Sequence, residues 1–195
     1  MAKLFFRYGP MNSGKSTALL QVAHNYHERG QSVLVAKPCI DKKGGDKVIS
    51  RLGVDRAVDI LLAPDHSLLE QVLQRTTNSA TTTACLLIDE AQFLSPAQVD
   101  DALNLAVFHD LPVIAYGLRT DFLTRAFPGS ARLLEIAHQL EELKTICRCG
   151  KKAMFNARIG SEGILRKGEQ VAIDGLAANY EALCAACYLN TAPTN

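Results

Sequence analysis

Residues 9–16 constrain this chain more than any other part of its sequence. They read Gly9-Pro10-Met11-Asn12-Ser13-Gly14-Lys15-Ser16 and fit the pattern G-x-x-x-x-G-K-S without a mismatch. An apolar run over 3–8 precedes them and an amphipathic pattern to about Arg29 follows, so the context is strand, loop and helix. Gly14 lets the backbone approach phosphate oxygens, and successive N–H groups form an anion-binding nest at a helix N-terminus. The motif therefore predicts a site for the phosphates of a nucleotide.

Two side chains of this loop suit the chemistry of a nucleoside triphosphate. The Lys15 ammonium would reach the β- and γ-phosphates, and the Ser16 hydroxyl is a hard oxygen ligand for Mg²⁺. We therefore expect ATP with Mg²⁺ as the co-substrate.

A pair of carboxylates follows a second apolar run, over residues 84–88. Asp89 and Glu90 end this predicted strand, and the C-terminal ends of parallel strands face the phosphate site in such sheets. Asp89 would hold Mg²⁺ directly or through water. Glu90 would lie beside the γ-phosphate, where an acceptor must lose a proton. The pair alone does not separate an ATPase, which activates water, from a kinase, which activates a substrate hydroxyl.

Two cysteine pairs lie near the C-terminus. Cys147-Arg148-Cys149 and Cys184-Ala185-Ala186-Cys187 supply four thiols, a set that suits a tetrahedral structural Zn²⁺. The first pair is more closely spaced than most zinc motifs, so free, buried cysteines are the alternative. Cys39 and Cys85 stand in apolar contexts and are predicted to be core residues.

Turn and cap signals divide the rest of the chain into elements. Gly30 is a stop for the first helix, and the spacing of Ser67 and Glu70 predicts a second helix start. Ser95 begins another helix, with a proline at its first position and a glutamine at its third. Strands are predicted over 32–36 and 112–116, a helix over 131–137 and a polar loop over 41–47.

Alternating strands and helices indicate an α/β fold with a parallel sheet. We predict a P-loop NTPase core, whose central parallel sheet is flanked by helices, and a small C-terminal zinc-binding domain. With 195 residues, of which 48% are hydrophobic, the chain can form one such core and an appendage but not two full domains. The predicted bounds are 1–146 for the core, 147–190 for the zinc-binding domain and 191–195 for a tail.

The charge balance bears on the kind of partner. The formal net charge is +1, whereas proteins that bind nucleic-acid polymers usually show a basic excess. A small-molecule substrate is therefore favoured. The N-terminal apolar run is too short for a signal peptide and no stretch is long enough to span a bilayer, so we expect a cytoplasmic protein without membrane contact.

Several aromatic residues could stack on a base. Phe93, Phe122 and Phe127 are predicted in loops after the active-site strands, and Tyr180 lies in the zinc segment. Each has packing in the interior as its alternative role, and composition and spacing alone name no nucleoside.

Taken in order, these motifs resemble the type II thymidine kinases, the cytosolic form found in many bacteria and in animals. The likeness runs from about Leu4 to Tyr188, and the close C-x-C spacing resembles the bacterial branch. It is carried by the phosphate loop, Asp89-Glu90-Ala91-Gln92-Phe93, Tyr116-Gly117-Leu118-Arg119-Thr120-Asp121-Phe122, Leu143-Lys144-Thr145-Ile146-Cys147, and the second cysteine pair with Tyr180 before it.

The resemblance implies an activity and a set of roles. The family transfers the γ-phosphate of ATP to the 5′-hydroxyl of thymidine or deoxyuridine, giving dTMP in pyrimidine salvage for DNA synthesis. By resemblance Glu90 is the general base and Arg51 lies near the phosphates. Phe93 would pack on thymine, in a pocket walled by Met11, Leu118, Phe122 and Phe127.

The resemblance also implies a lasso, a loop between the cysteine pairs that folds over the base and binds it through main-chain groups. Val171, Ile173, Gly175 and Tyr180 match lasso positions, and Tyr180 would contact the deoxyribose. Asp174 departs from the family, which often has glycine there, and Lys42 and Lys43 stand where Asp-x-Arg is frequent. The family is typically a homotetramer and is inhibited by the end product dTTP, which would span the nucleoside pocket and the phosphate loop.

Two other classes of function fit part of these patterns. A P-loop ATPase that remodels nucleic acid could carry a zinc ribbon and use Glu90 on water, but it would usually need a basic groove. A regulatory nucleotide-binding module would not need Glu90. ADP release with and without thymidine separates these classes from a kinase.

Overall fold

The computed structural model describes residues 1–40, 45–78, 81–161, 163–170 and 179–190. Its first elements in chain order are β1 (Leu4–Tyr8), α1 (Lys15–Glu28), β2 (Ser32–Pro38), β3 (Lys47–Ile49), β4 (Asp55–Ala57), β5 (Ile60–Leu62), α2 (Leu68–Thr77), β6 (Thr83–Ile88), a 3₁₀ turn (Ala91–Phe93), α3 (Pro96–Phe108), β7 (Val113–Gly117), α4 (Pro128–Ile136) and β8 (Gln139–Glu142). The chain then forms β9 (Phe155–Gly160), β10 (Gly163–Ile164), β11 (Asn179–Leu183) and α5 (Ala185–Asn190).

A six-stranded parallel sheet forms the centre of the fold. Its strand order is β5-β2-β6-β7-β1-β8, which confirms the predicted α/β class. Because β1 and β6 both pair with β7, the loop after β1 and the carboxylates after β6 emerge at one edge of the sheet, on either side of the end of β7.

Each face of the sheet is covered by helices over an apolar layer. Along β6, Cys85 and Leu87 face the layer that includes Leu19 of α1, while Leu86 and Ile88 face the layer beneath α2, α3 and α4. This alternation follows from the two-residue period of a strand. A strand segment buried on both faces must be apolar, as residues 85–88 of β6 are.

Most helix ends lie where the cap signals predict them. Ser95 and Gln98 form a complete capping box at α3, and the Ser67 hydroxyl accepts a hydrogen bond from the Glu70 amide at α2. Gly30, after α1, has a φ of +69°, a conformation that favours glycine. The prediction for α4 is wrong at its start, because Pro128 begins that helix three residues before the predicted Ala131.

Two local predictions around β2 need correction. Cys39 is exposed rather than buried, because β2 ends at Pro38, whereas Cys85 is buried as predicted. Of the predicted polar loop, residues 41–44 lie outside the described residues, and Lys47 begins a hairpin formed by β3 and β4. The buried Lys37 ammonium donates to the Gly45 and Lys47 carbonyl oxygens, 3.4 Å away in each case, and so attaches this hairpin to β2.

The C-terminal unit has an apolar cluster of its own. The antiparallel strands β10, β9 and β11 pack with α5, and the cluster contains Cys147, Ala157, Leu183 and Tyr188. The predicted domain bounds at 146 and 190 stay predictions. Within the part of the chain that the structure describes, no helix is long and apolar enough to cross a bilayer.

Candidate active site

The phosphate loop connects the end of β1 to the start of α1. Gly14 has a φ of +79° at the helix N-cap, and its carbonyl accepts from the Ala18 amide at 2.8 Å. The Lys15 ammonium folds back over the loop and donates to the Gly9 and Pro10 carbonyl oxygens at 3.1 and 2.8 Å. The first-turn amides and this ammonium therefore converge on one concave surface, the arrangement that a chain of phosphates requires.

Two hard oxygen donors meet at the base of this loop. The Ser16 hydroxyl lies 3.5 Å from Oδ2 of Asp89, and Asp89 is only 5% exposed. The Asp89 amide donates to the Ala36 carbonyl at 3.0 Å, which fixes the end of β6. A hydroxyl and a buried carboxylate side by side at a phosphate loop are a donor set that suits Mg²⁺.

Glu90 occupies an unusual backbone conformation. Its φ of 49° and ψ of 40° place it in the left-handed region, which a non-glycine residue adopts at an energetic cost. This conformation turns the chain sharply between β6 and the 3₁₀ turn. Glu90 lines the same cavity as Lys15 and Ser16, at the edge of the sheet.

A hydrogen bond from Gln92 orients the Glu90 carboxylate. The Nε2 of Gln92 donates to Oε2 of Glu90 at 2.5 Å, and the Oε1 of Gln92 accepts from the Leu118 amide at 3.0 Å. Gln92 is 1% exposed, and a Cβ at Gly117 would lie 2.8 Å from its Oε1. In the sequence Gln92 stands within the motif 89–93, which assigns it no role. Its position two residues after a predicted catalytic carboxylate is the signal that could have identified it.

Helix α4 supports the turn after Glu90. Gly129 packs so closely that a Cβ there would lie 2.5 Å from the Leu94 carbonyl oxygen and 2.8 Å from that of Ala91. Only a residue without a side chain fits this approach.

A cavity of about 570 Å³ opens above the phosphate loop. It brings together several predicted site residues, among them Arg51, which lies in the turn of the hairpin that β3 and β4 form. The predicted residues that line it are Met11, Asn12, Gly14, Lys15, Ser16, Arg51, Glu90 and Leu118.

The remaining predicted nucleoside-site residues lie beyond this lining. Phe93 and Phe127 pack edge to face, with ring centroids 5.6 Å apart. Phe122 is 1% exposed, and the Arg158 guanidinium lies 5.5 Å from the centre of its ring. Tyr180 is half-buried in β11, opposite Arg158 of β9.

The predicted lasso contacts cannot be located in the same way. Val171, Ile173 and Gly175, together with Asp174, lie outside the described residues. The same holds for Lys42 and Lys43.

Asn156 of β9 links the C-terminal unit to the phosphate loop. Its Oδ1 accepts from the Met11 amide at 2.7 Å, and its Nδ2 donates to the Thr120 carbonyl at 3.5 Å. Sequence reasoning missed this residue, because a single asparagine in a strand carries no signal of a contact 145 residues away.

The four predicted zinc ligands converge in space. Their sulfur atoms all lie within 4.8 Å of one another, and Cys149 Sγ is 3.6 Å from the sulfurs of Cys147 and Cys184. Four thiolates at Zn–S distances of about 2.3 Å would be about 3.8 Å apart in a tetrahedron, so the spacing fits a Cys₄ zinc site.

The thiols of the cluster perturb one another. Burial raises the pKa of Cys147, but hydrogen bonds from the Cys149 and Cys184 amides and the neighbouring thiols outweigh it and lower that pKa to about 6. Hydrogen bonds with the neighbouring sulfurs raise the pKa of Cys187 to about 12, and the bond with Cys149 has the largest effect. A cluster that favours thiolate at one sulfur and shares the remaining protons is suited to bind a cation.

Comparisons with known proteins agree over nearly the whole chain. A family model described as thymidine kinase matches residues 2–188. The thymidine kinase of Idiomarina loihiensis is 49% identical over 178 residues, which cover 90% of each chain. That of Chromobacterium violaceum is 44% identical over 190 residues, covering 96% of this chain and 98% of the relative. That of Enterobacteria phage T4 is 43% identical over 186 residues, covering 94% of each.

Among solved structures, Bacteroides Pif1 bound to single-stranded DNA aligns with a TM-score of 0.39 and 17% identity, over 72% of this chain and 38% of that one. This likeness is too weak to bear on function.

Proposed function

The chain belongs to the thymidine kinase family, and from this premise we propose that it transfers the γ-phosphate of ATP to the 5′-hydroxyl of thymidine or deoxyuridine. The product would be dTMP, formed in pyrimidine salvage for DNA synthesis. The observation that carries the proposal is the cavity that Glu90 lines together with Lys15 and Ser16 of the phosphate loop. A base, a phosphate cradle and space for an acceptor are what phosphoryl transfer needs.

In this proposal the phosphate loop and Glu90 have separate tasks. The amides of 12–16 and the Lys15 ammonium bind the phosphates and offset the charge that develops on the transferred group. Glu90 accepts the proton of the 5′-hydroxyl as the oxygen attacks phosphorus. The hydrogen bond from Gln92 supports this role, because it holds the carboxylate in one orientation.

A kinase of this family uses ATP together with a metal ion. We assign the Mg²⁺ site to Ser16 and Asp89, whose oxygens lie 3.5 Å apart at the phosphate loop. The bound cation would neutralise phosphate charge. Arg51 is a further candidate for contact with the phosphates, since it lines the same cavity as Lys15 and Ser16.

The nucleoside would lie between Glu90 and the C-terminal unit. Met11, whose amide bonds Asn156 of that unit, and Leu118 line the cavity, and Phe93 and Phe127 form an aromatic pair outside its lining. We propose that these residues, with Phe122 and Tyr180, contact the nucleoside. The lasso roles of Val171, Ile173 and Gly175, inhibition by dTTP, the homotetramer and the cytoplasmic location are proposals that rest on the family resemblance.

We assign the cysteine cluster a structural role. A zinc ion held by four thiolates has no open position for a reactant, so it would stabilise the C-terminal unit. Elemental analysis should find about one zinc per chain, and a metal-free protein with full activity would contradict the assignment.

The alternative function is a P-loop ATPase, and one experiment separates the two. ADP release is measured with ATP and Mg²⁺ alone, then with a panel of nucleosides, then with single-stranded DNA. A kinase should release ADP mainly when thymidine or deoxyuridine is present, in step with nucleoside monophosphate. Turnover that is equal without nucleoside, or that depends on DNA, would overturn the proposal.

A further inference from the structure

Tyr188 connects the cysteine cluster to a loop of the core. It lies in α5, directly after Cys187, and is 5% exposed. Its hydroxyl donates to the Phe122 carbonyl oxygen at 2.6 Å, a buried hydrogen bond between residues 66 positions apart. The loop that follows β7 is thus bonded to a residue next to a predicted metal ligand.

Two side chains contact the Tyr188 ring. Its centroid is 5.2 Å from that of Phe155, and the Arg166 guanidinium carbon lies 4.2 Å from it. Arg166 also donates to the Tyr188 carbonyl, and the Tyr188 amide donates to the Cys184 carbonyl at 2.9 Å. A ring fixed in this way has little rotamer freedom left, so its hydroxyl defines a position for the acceptor.

The loop on the receiving side is a compact turn. Asp121 is buried, and its Oδ1 accepts from the Leu123 and Arg125 amides at 2.8 Å each. Thr120 and Ala126 pair across the turn. Because the turn is closed on itself, it should move as a unit, and a contact at Phe122 sets where its side chains lie.

We propose that Tyr188 is a positioning residue for nucleoside binding, which transmits the position of the cysteine cluster to the loop 118–127 through its bond to the Phe122 carbonyl. This inference rests on the proposed function, since it assumes that Leu118, Phe122 and Phe127 contact the nucleoside. It assigns the metal-binding unit a second task, which is to fix the geometry of the substrate pocket. The Lys15 ammonium is held by carbonyl oxygens of the phosphate loop itself, those of Gly9 and Pro10, so the effect should fall mainly on the nucleoside rather than on ATP.

The test is Tyr188→Phe in the zinc-loaded enzyme. The substitution removes the hydroxyl and keeps the ring that contacts Phe155 and Arg166. A net hydrogen bond of ordinary strength corresponds to a roughly 3- to 10-fold change in an equilibrium constant. We therefore expect the KM for thymidine, and its Kd by calorimetry without ATP, to rise roughly 3- to 10-fold. The KM for ATP should stay within about twofold and zinc content should be unchanged.

The matched control is Tyr26→Phe. The Tyr26 hydroxyl bonds Cys85 in the apolar layer under α1, and neither residue lines the cavity or belongs to the loop 118–127, so both KM values should stay at the wild-type level. A role of Tyr188 in stability alone would lower the melting temperature or the active fraction without changing the ratio of the two KM values. An unchanged thymidine Kd in a folded, zinc-loaded Tyr188→Phe protein would overturn the inference. If the wild type phosphorylates no nucleoside, it is the proposed function that fails.

Discussion

Replacing Gly129 with alanine would force apart α4 and the turn that carries Glu90. The added Cβ would lie 2.5 Å from the Leu94 carbonyl oxygen, 2.8 Å from that of Ala91 and 3.0 Å from that of Gln92. All three neighbours are backbone atoms, so no side chain can rotate away. Restoring ordinary van der Waals contact requires a displacement of about 1 Å between α4 and the turn.

The displacement should affect both stability and turnover. Overpacking of a buried site costs about 1–3 kcal/mol in the free energy of unfolding. A shift of about 1 Å at catalytic groups is enough to lower a rate on the order of 100-fold. Because Gln92 belongs to the displaced turn, its bond to Glu90 would change as well. We therefore expect kcat to fall about 10- to 100-fold in Gly129→Ala.

Gly30→Ala is the matched control. Gly30 has a φ of +69° and no atom within 4 Å of the position a Cβ would take, so alanine there strains the backbone without a clash. The cost is about 1–2 kcal/mol. Gly30 precedes β2, at the opposite edge of the sheet from Glu90. The two variants should thus lose similar stability, while Gly30→Ala keeps the wild-type kcat.

The assay combines urea unfolding with initial rates at saturating ATP and thymidine, measured well below the melting temperature. The reasoning is refuted if Gly129→Ala keeps both the wild-type kcat and a free energy of unfolding within about 0.5 kcal/mol of the wild type. It is also refuted if Gly30→Ala loses as much kcat as Gly129→Ala.

Two other perturbations test separate parts of the molecule. Glu90→Gln keeps the shape of the side chain and removes the base, so kcat should fall roughly two to four decades while the calorimetric Kd for ATP stays near the wild-type value; near-normal turnover would exclude Glu90 as the base. Burial raises the pKa of Cys85 to about 12, so its thiol stays protonated at pH 8, whereas Cys39 is exposed. Iodoacetamide should therefore label Cys39 and spare Cys85 in the native protein, as read by peptide mass mapping, and equal labelling of both would contradict the structure.

Local signals were sufficient for four strands of the parallel sheet, β1, β2, β6 and β7, whereas the short strands β5 and β8 were not predicted. The apolar run of β6 and the cap at Ser95 depend on neighbours in sequence, and both appear in the structure where they were predicted. The hairpin of β3 and β4 escaped prediction because strands of three residues are too short to show a period. Cys39 was misplaced because its apolar neighbours belong to a strand that ends one residue earlier.

In the candidate site too, some residues are indicated by local sequence signals and others are not. The phosphate loop, Glu90 and the four cysteines were readable from residue type and spacing. Gln92 is marked in the sequence only by its place two residues after Glu90, and Asn156 by nothing, because their contacts with Leu118 and Met11 are created by the tertiary fold. Polar side chains that bond to distant backbone groups leave no periodic trace in a sequence.

At position 90 the residue that the proposed reaction needs is not the residue that would make the protein most stable. With a φ of 49°, this position would be relaxed by glycine or asparagine, which accept a left-handed backbone more readily than glutamate does. In a library of variants selected only for thermal stability, glutamate at position 90 should therefore be replaced. The selected proteins would melt at a higher temperature but would lack the carboxylate. Selection for higher thermal stability therefore has to be combined with an activity screen at every round.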